Sequence, residues 1–179
     1  MIVDLTRTIK DKMPGFHGDP NLTLEQIRFL AKDGYNDYLL TTNMHKGTHI
    51  DGLSHMSNNK LMSEYDLNQF IGKARLVDCS NYHYQGEEVV VIKCEGHYLE
   101  ESFVRKLIEY PIKFIVIDND SVDEAPYFLH KLLFNKGILI VENAINLDKL
   151  PKDKEFKIFA IPLKIESDSS PVRLFAKIK

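Results

Sequence analysis

The apolar residues of this chain recur with two spacings, one typical of strands and one typical of helices. Short runs rich in β-branched residues over 73–79, 88–93 and 112–118 predict buried strands. The segment 98–110 predicts a helix, because its apolar residues recur three or four positions apart. Further strands are predicted over 2–5, 22–29, 38–44, 138–142, 156–165 and 172–178, with short helices over 63–70 and 127–134.

The order of these elements predicts the fold class. A strand, a helix and a strand follow one another over 112–142, which indicates parallel neighbours joined by a right-handed crossover. We therefore expect an α/β fold with a mixed β-sheet flanked by helices. The chain has 179 residues, 44% of them hydrophobic, and no linker rich in glycine, serine or proline, so a single domain over residues 1–179 is expected.

The charge and hydropathy of the chain argue against nucleic acid and membranes as partners. The net charge is −3 and the lysines are scattered among acidic residues, so the chain offers no basic surface for nucleic acid. No apolar run reaches the roughly 20 residues that span a bilayer. Asp4, Arg7 and Lys10 interrupt any secretory segment at the N-terminus. We expect a cytoplasmic protein that acts on a small molecule.

The two cysteines do not predict a disulfide or a zinc ribbon. Cys79 and Cys94 lie in apolar, strand-like surroundings, which favours buried, reduced thiols. Cys94 precedes Glu95-Gly96-His97, so a nucleophilic role for this thiol is the alternative.

The segment 45–55 contains the densest group of chemically active side chains. Three of the seven histidines and an aspartate fall within it, as His45, His49, Asp51 and His55. A helix is a poor interpretation, since it would turn Asp51 and His55 away from the other two. In an extended strand these odd-numbered residues project from one side, although His45 and His49 would then stand about 13 Å apart.

Glycines within the segment offer a way to close that distance. Gly47 and Gly52 allow the backbone to bend or to take a positive φ, so we predict a strand that runs into a kinked loop. Two imidazoles and a carboxylate then form a three-ligand site that suits zinc, manganese or ferrous iron. A row of hydrogen-bonded surface histidines is the alternative.

The same eleven residues resemble the signature His-x-Gly-Thr-His-x-Asp-x-Pro-x-His of the metal-dependent cyclase family. This family includes bacterial kynurenine formamidases and isatin hydrolases. Leu53 stands where the family usually has proline. The resemblance extends to both ends of the chain, through Val3-Asp4-Leu5-Thr6, Gly18-Asp19-Pro20 with His17 before it, Ile161-Pro162-Leu163 and Ser170-Pro171-Val172-Arg173.

The resemblance implies a fold and a set of roles. The fold would be of the swivelling β/α/β type, and the protein a homodimer or higher homo-oligomer. His45, His49 and Asp51 would bind one divalent ion, and His55 would act as catalytic acid or base. Asp51 would bridge to a second ion held by two downstream residues, His130 and Glu142, which otherwise look like an ordinary helix histidine and a strand-end carboxylate.

The function implied is metal-dependent hydrolysis of an amide, formamide or cyclic amide. Zinc is the first choice of metal and manganese the second, with two ions per subunit, and a place in tryptophan catabolism would follow from a formamidase activity. A non-catalytic metal-binding homologue is one alternative, motivated by Leu53 and by the lack of tryptophan. A ferrous oxygenase is another, because two histidines and a carboxylate also describe that class.

Three neighbouring side chains are assigned smaller roles. Phe16 lies where related formamidases carry an aromatic side chain against the substrate, so we predict that it lines the pocket. Thr48 has the opposite strand parity from the histidines and is expected to brace the loop through its hydroxyl. Lys46 shares that parity and is expected to be solvated.

Overall fold

The computed structural model describes residues 1–16 and 18–178 and contains ten strands, three α-helices and several short 3-10 helices. The strands are β1 (Ile2–Asp4), β2 (Thr23–Arg28), β3 (Asp37–Thr41), β4 (His49–Asp51), β5 (Ile71–Val77), β6 (Val89–Ile92), β7 (Phe114–Ile117), β8 (Leu139–Glu142), β9 (Phe156–Pro162) and β10 (Ser169–Lys177). The helices are α1 (Leu30–Asp33), α2 (Glu101–Leu107) and α3 (Phe128–Asn135).

Seven strands close into a barrel, in the order β10, β4, β8, β7, β6, β5 and β9. The first residues of β10 pair with β4 and the remainder with β9, so one long strand closes the ring. Strands β5 to β8 run parallel, whereas the strands contributed by the ends of the chain are antiparallel. The sheet is therefore mixed, as the sequence predicts.

Two apolar clusters occupy the two faces of this sheet. Val89 and Val91 point into the barrel, whereas Val90 and Ile92, on the same strand, point outwards against α2 and α3. The expectation of a sheet flanked by helices is a loose fit, because a closed sheet packs its inner face against itself. The two longer helices both belong to the outer cluster.

The predicted helix over 63–70 is replaced by two 3-10 turns, Met62–Glu64 and Leu67–Phe70. Asp66, not Ser63, caps the second turn by accepting a hydrogen bond from the Asn68 N–H. Phe70 packs in the core as expected, but Leu67 is exposed. The turn has only four residues, and only Phe70, at its end, is buried.

Strands β2 and β3 form a separate two-stranded hairpin that carries α1 at its tip. The side chains of β3 are exposed along its whole length. The large exposed apolar residues of this hairpin are Ile27, Phe29, Leu30, Tyr35, Tyr38, Leu39 and Leu40. A two-stranded sheet of this kind has little stability alone, and exposed apolar patches commonly mark contact surfaces.

In the part of the chain that the structure describes, no helix has the length and apolar character needed to cross a membrane.

Candidate metal centre

The residues predicted for the metal site meet on the outer face of the barrel. Strand β4 lies between β10 and β8, and its His49 is paired directly with Glu142 of β8. Ile50 points into the barrel core, so His49 and Asp51 must point outwards. His130 reaches the same place from α3, which covers this face. Strand β4 and the consecutive elements α3 and β8, which are distant from it in sequence, thus supply one cluster.

The bend predicted within the histidine segment lies at Gly47, which has φ of +66°. Strand β4 begins only at His49, so His45 sits in the turn before the strand and His55 in a 3-10 turn after it. The predicted bend is present, but the predicted order of strand and then loop is wrong, because the bend at Gly47 precedes the strand. The turn brings the rings of His45 and His49 to a centroid separation of 5.2 Å, far closer than an extended strand allows.

Gly52 has a different role from the one predicted. Its φ is −87°, which any residue can adopt. A Cβ atom there would lie 2.8 Å from the backbone oxygen of Asp168, and the Gly52 N–H donates to that same oxygen. The position requires glycine because two segments of backbone approach each other closely.

His45, His49 and Asp51 form the first group of candidate ligands. Oδ1 of Asp51 lies 2.9 Å from His45 Nδ1 and 3.5 Å from His49 Nε2. His49 and Asp51 are each 1% exposed. Neither His49 Nε2 nor Asp51 Oδ1 has a hydrogen-bond partner within residues 1–16 and 18–178. Buried polar atoms without partners are costly, and a cation is the partner that both atoms could share.

Asp51, His130 and Glu142 form the second group. Glu142 Oε1 is 3.4 Å from His130 Nε2, and Glu142 Oε2 is 3.5 Å from His49 Nε2. Glu142 Oε1 is a further buried atom that finds no hydrogen-bond partner in the described chain. Asp51 belongs to both groups, so the two candidate sites share one carboxylate.

Hydrogen bonds behind the rings fix which nitrogens face the cluster. His49 Nδ1 lies 3.0 Å from the carbonyl oxygen of Gly47, which can only accept, so Nδ1 carries the proton. His130 Nδ1 lies 2.5 Å from Oδ1 of Asp123 in the same manner. In the neutral form, each ring therefore turns the lone pair of Nε2 towards the cluster, as metal-binding imidazoles do. The donor set thus fits a divalent metal ion.

Asp168 is a site residue that the sequence analysis missed. Its Oδ2 lies 2.8 Å from His55 Nδ1 and 3.1 Å from His45 Nε2. Ser169, the next residue, places its hydroxyl 3.0 Å from His45 Nε2. The polar stretch 166–170 looks like a solvated loop in sequence. Its position directly before the last predicted strand, which pairs with the histidine segment, was the available clue.

The charges in the cluster are strongly coupled. Burial disfavours the charged form of His45, but the nearby carboxylates of Asp168 and Asp51 outweigh it and raise its pKa to about 10. Burial also disfavours the charged form of His130, but Asp123 and Glu142 outweigh it and raise the pKa of His130 to about 9. Hydrogen bonds from His45 and His55 hold the pKa of Asp168 well below its usual range. The carboxylate of Asp168 therefore stays ionised and attracts positive charge to this face.

A cavity of about 490 Å³ opens over the cluster, and His45, His49, Asp51, His55, His130 and Glu142 all line it. Phe16, 39% exposed, is among the residues that line the cavity, together with other apolar residues. The apolar lining consists of Met13, Pro14, Phe16, Met56 and Tyr127. The neighbouring His17 lies outside the described residues.

Of the two side chains assigned beside the ligands, one prediction is confirmed and one is wrong. The Thr48 hydroxyl donates to the carbonyl oxygen of Asn143 and accepts from the Arg7 N–H, so it braces the loop. Lys46 is fully buried rather than solvated. The parity argument fails for Lys46 because it lies in the turn before β4, where side chains do not alternate.

Leu53 does not disturb the segment despite its departure from the family signature. Its side chain packs against both apolar clusters, and its N–H donates to the Tyr65 hydroxyl over 2.9 Å. The position is thus filled by an apolar side chain of adequate volume.

The cysteines are free thiols, and they lie apart from the metal-centre cavity, in a separate groove. Burial raises the pKa of the Cys94 thiol to about 12 and that of Cys79 to about 11. A thiol with so high a pKa is a weak nucleophile at neutral pH, which favours the structural interpretation.

Proteins similar in sequence to this chain include kynurenine formamidases. The chain is 28% identical to a kynurenine formamidase of Bacillus thuringiensis subsp. konkukian over 203 residues, which covers 98% of this chain and 96% of that protein. It is 29% identical to the kynurenine formamidase of Bacillus cereus over 199 residues, with coverage of 96% and 94%.

Two solved structures share the fold. An isatin hydrolase bound to the product analogue thioisatinate superposes with a TM-score of 0.87 at 19% identity, covering 99% of this chain and 92% of that one. A protein from Bacillus stearothermophilus described as a predicted metal-dependent hydrolase gives a TM-score of 0.81 at 24% identity, with coverage of 98% and 97%. The family model described as putative cyclase matches residues 3–95, which include the whole histidine segment. The chain therefore belongs to the cyclase family.

Proposed function

We propose that this protein is a metal-dependent hydrolase that cleaves an amide, formamide or cyclic amide. One observation carries the proposal: buried donor atoms of His49, Asp51 and Glu142 that lack partners in the described chain converge at the floor of an open cavity. Kynurenine formamidases and an isatin hydrolase among the similar proteins support the choice of an amide bond. A role in tryptophan catabolism would follow if the substrate is an aryl formamide.

We assign His45, His49 and Asp51 to one ion and Asp51, His130 and Glu142 to a second, with Asp51 as the shared ligand. Imidazole nitrogens and carboxylate oxygens suit zinc first and manganese second. A divalent cation held there would lower the pKa of water from about 16 to near 7 and so supply hydroxide at neutral pH. Asp123 and the Gly47 carbonyl keep His130 and His49 in the tautomer and orientation that this binding requires.

His55 is assigned to proton transfer. The ionised carboxylate of Asp168 accepts from His55 Nδ1, which leaves Nε2 of His55 bare. Nε2 can take a proton from the attacking water and return it to the leaving nitrogen. Asp168 thus acts through His55 as a positioning residue, in the same way that a carboxylate orients the histidine of a catalytic triad.

The cavity indicates the kind of substrate. Its floor is polar and its walls include Met13, Phe16, Met56 and Tyr127, so it suits a compact organic molecule with an aromatic or other apolar group beside the scissile amide. Phe16 is assigned to contact with that group.

Chelation tests this proposal directly. We expect the purified protein to hydrolyse members of a panel of aryl formamides and cyclic amides, and to lose that activity on dialysis against a strong chelator. Zinc or manganese should restore activity, because ionised carboxylates and neutral imidazoles rebind such ions. Full activity in chelator would refute metal dependence. Full metal occupancy with no turnover across the panel would indicate a non-catalytic binder, and a requirement for iron and oxygen would indicate an oxygenase.

We also propose that the protein self-associates through its β2–β3 hairpin. Seven large apolar side chains are exposed on this small element. A two-stranded sheet has little stability alone, and an exposed apolar patch commonly marks a contact surface. Sedimentation equilibrium should give a mass of at least twice 20.7 kDa. The double substitution Leu39→Lys and Leu40→Lys should reduce that mass towards the monomer, whereas Leu67→Lys, at an exposed site outside the hairpin, should not. A monomeric wild-type protein would contradict the proposal.

A further inference from the structure

We propose that Lys46 is a positioning residue that holds the loop residues 13–16 and 18–19 against the metal-centre cavity and so places Phe16. Lys46 lies behind the cavity rather than in its wall, so its effect on a substrate must pass through this loop. The use of catalysis as one readout rests on the proposed function, and a second readout is independent of it.

Lys46 is an unusual residue to find buried. It is 0% exposed and is among the largest of the fully buried side chains in the described chain. Its Nζ atom has no hydrogen-bond partner among residues 1–16 and 18–178. Burying an ammonium group is costly unless it faces a negative charge. The negative charge that Lys46 faces is the carboxylate of Asp19, whose Oδ2 lies 3.6 Å from Nζ.

Asp19 connects this contact to the pocket. Its N–H donates to the backbone oxygen of Phe16 over 3.0 Å, which closes the turn that carries the Phe16 ring. Its Oδ2 also accepts a 2.8 Å hydrogen bond from Asn43 Nδ2. The Asp19 carboxylate therefore contacts both Lys46 and Asn43, which lie on the segment that leads into β4.

Gly15 completes the arrangement. A Cβ atom built on Gly15 would lie 1.4 Å from Lys46 Nζ and 2.4 Å from its Cε. The lysine tip thus fills the space that any other residue at position 15 would require. The loop backbone packs directly on the side chain, so the position of the loop and that of Lys46 depend on each other.

A double-mutant cycle on Gly15→Ala and Lys46→Ala tests this dependence. In the wild-type background, Gly15→Ala should raise KM by about tenfold or more while kcat changes by less than about threefold, because the loop is displaced and the catalytic groups are not. In the Lys46→Ala background the same change should alter KM by less than about twofold, since the clash is gone. Lys46→Met, which keeps the stem but removes the charge, should also raise KM. Lys93→Ala, which removes a surface ion pair with Glu95, is the matched control and should change neither constant.

Tryptic cleavage provides the independent readout. Lys12 is exposed at the start of the loop, and cleavage after it should quicken by about tenfold in Gly15→Ala and in Lys46→Met if the loop detaches locally. Metal content should remain that of wild type. Equal effects of Gly15→Ala in both backgrounds, or wild-type KM and cleavage rates in Lys46→Met, would overturn the proposal. If no substrate is found, the double-mutant cycle can be carried out with tryptic cleavage rates alone. Failure of the proposed function and failure of this inference therefore remain distinguishable.

Discussion

Replacing Asp51 by asparagine is expected to remove both metal binding and hydrolysis. Asp51 is the one residue shared by the two ligand groups that we assign to ions, and it is 1% exposed. Its Oδ1 faces His45 and His49 at 2.9 and 3.5 Å. An amide there keeps the shape but loses the charge that would bridge two cations. We expect activity to fall by at least about a thousandfold, since solvent activation depends on the bound ion.

Metal analysis by mass spectrometry and steady-state kinetics measure this prediction. The matched control is Asp148→Asn, the same chemical change at an exposed position, and it should leave both quantities unaltered. Circular dichroism should show that the Asp51 variant remains folded, because the barrel core lies on the opposite face of β4. An Asp51→Asn protein that keeps its metal and its rate would contradict the assignment of this residue.

Replacing His55 by alanine is expected to keep the metal and lose turnover. His55 is absent from the two groups assigned to ions, and its Nδ1 is already hydrogen-bonded to Asp168. Removal of a general acid or base costs about 10²- to 10⁴-fold in rate. We therefore expect kcat to fall within that range while metal content and KM change little, because uniform substrate binding is untouched.

The same variant distinguishes a competing arrangement of ligands. His45, His55 and Asp168 also lie close enough together to hold an ion. If that group binds metal, His55→Ala will lose one equivalent of metal together with activity. Retention of metal with an unchanged rate would instead remove His55 from the mechanism. The three outcomes differ in measured metal content and kcat.

The sequence predicted the parallel half of the sheet well. Strands β5 to β8 and helices α2 and α3 arise from local apolar patterns, and each lies within a few residues of its predicted position. Barrel closure was not predictable in this way, because it depends on β10 pairing with both β4 and β9. Such pairings are decided by the packing of distant segments and leave little trace in a local pattern.

The same distinction holds for the site. Gly47 and the histidine spacing indicated a bend and a cluster, whereas Asp168 reaches His45 across 123 residues of sequence. Strand alternation predicted a surface position for Lys46. The residue lies in a turn instead, and its side chain packs inwards against Gly15. The assignments of His130 and Glu142 relied on family resemblance, and the structure brings both side chains to Asp51.

Anomalous diffraction from crystals, recorded on both sides of the zinc and manganese absorption edges, would locate the bound ions. We expect two anomalous peaks, one about 2.0–2.2 Å from His49 Nε2 and Asp51, and one at similar distances from His130 Nε2 and Glu142. Absence of any peak at these atoms in protein crystallised with either metal would contradict this expectation, and so would an ion bound solely by His45, His55 and Asp168.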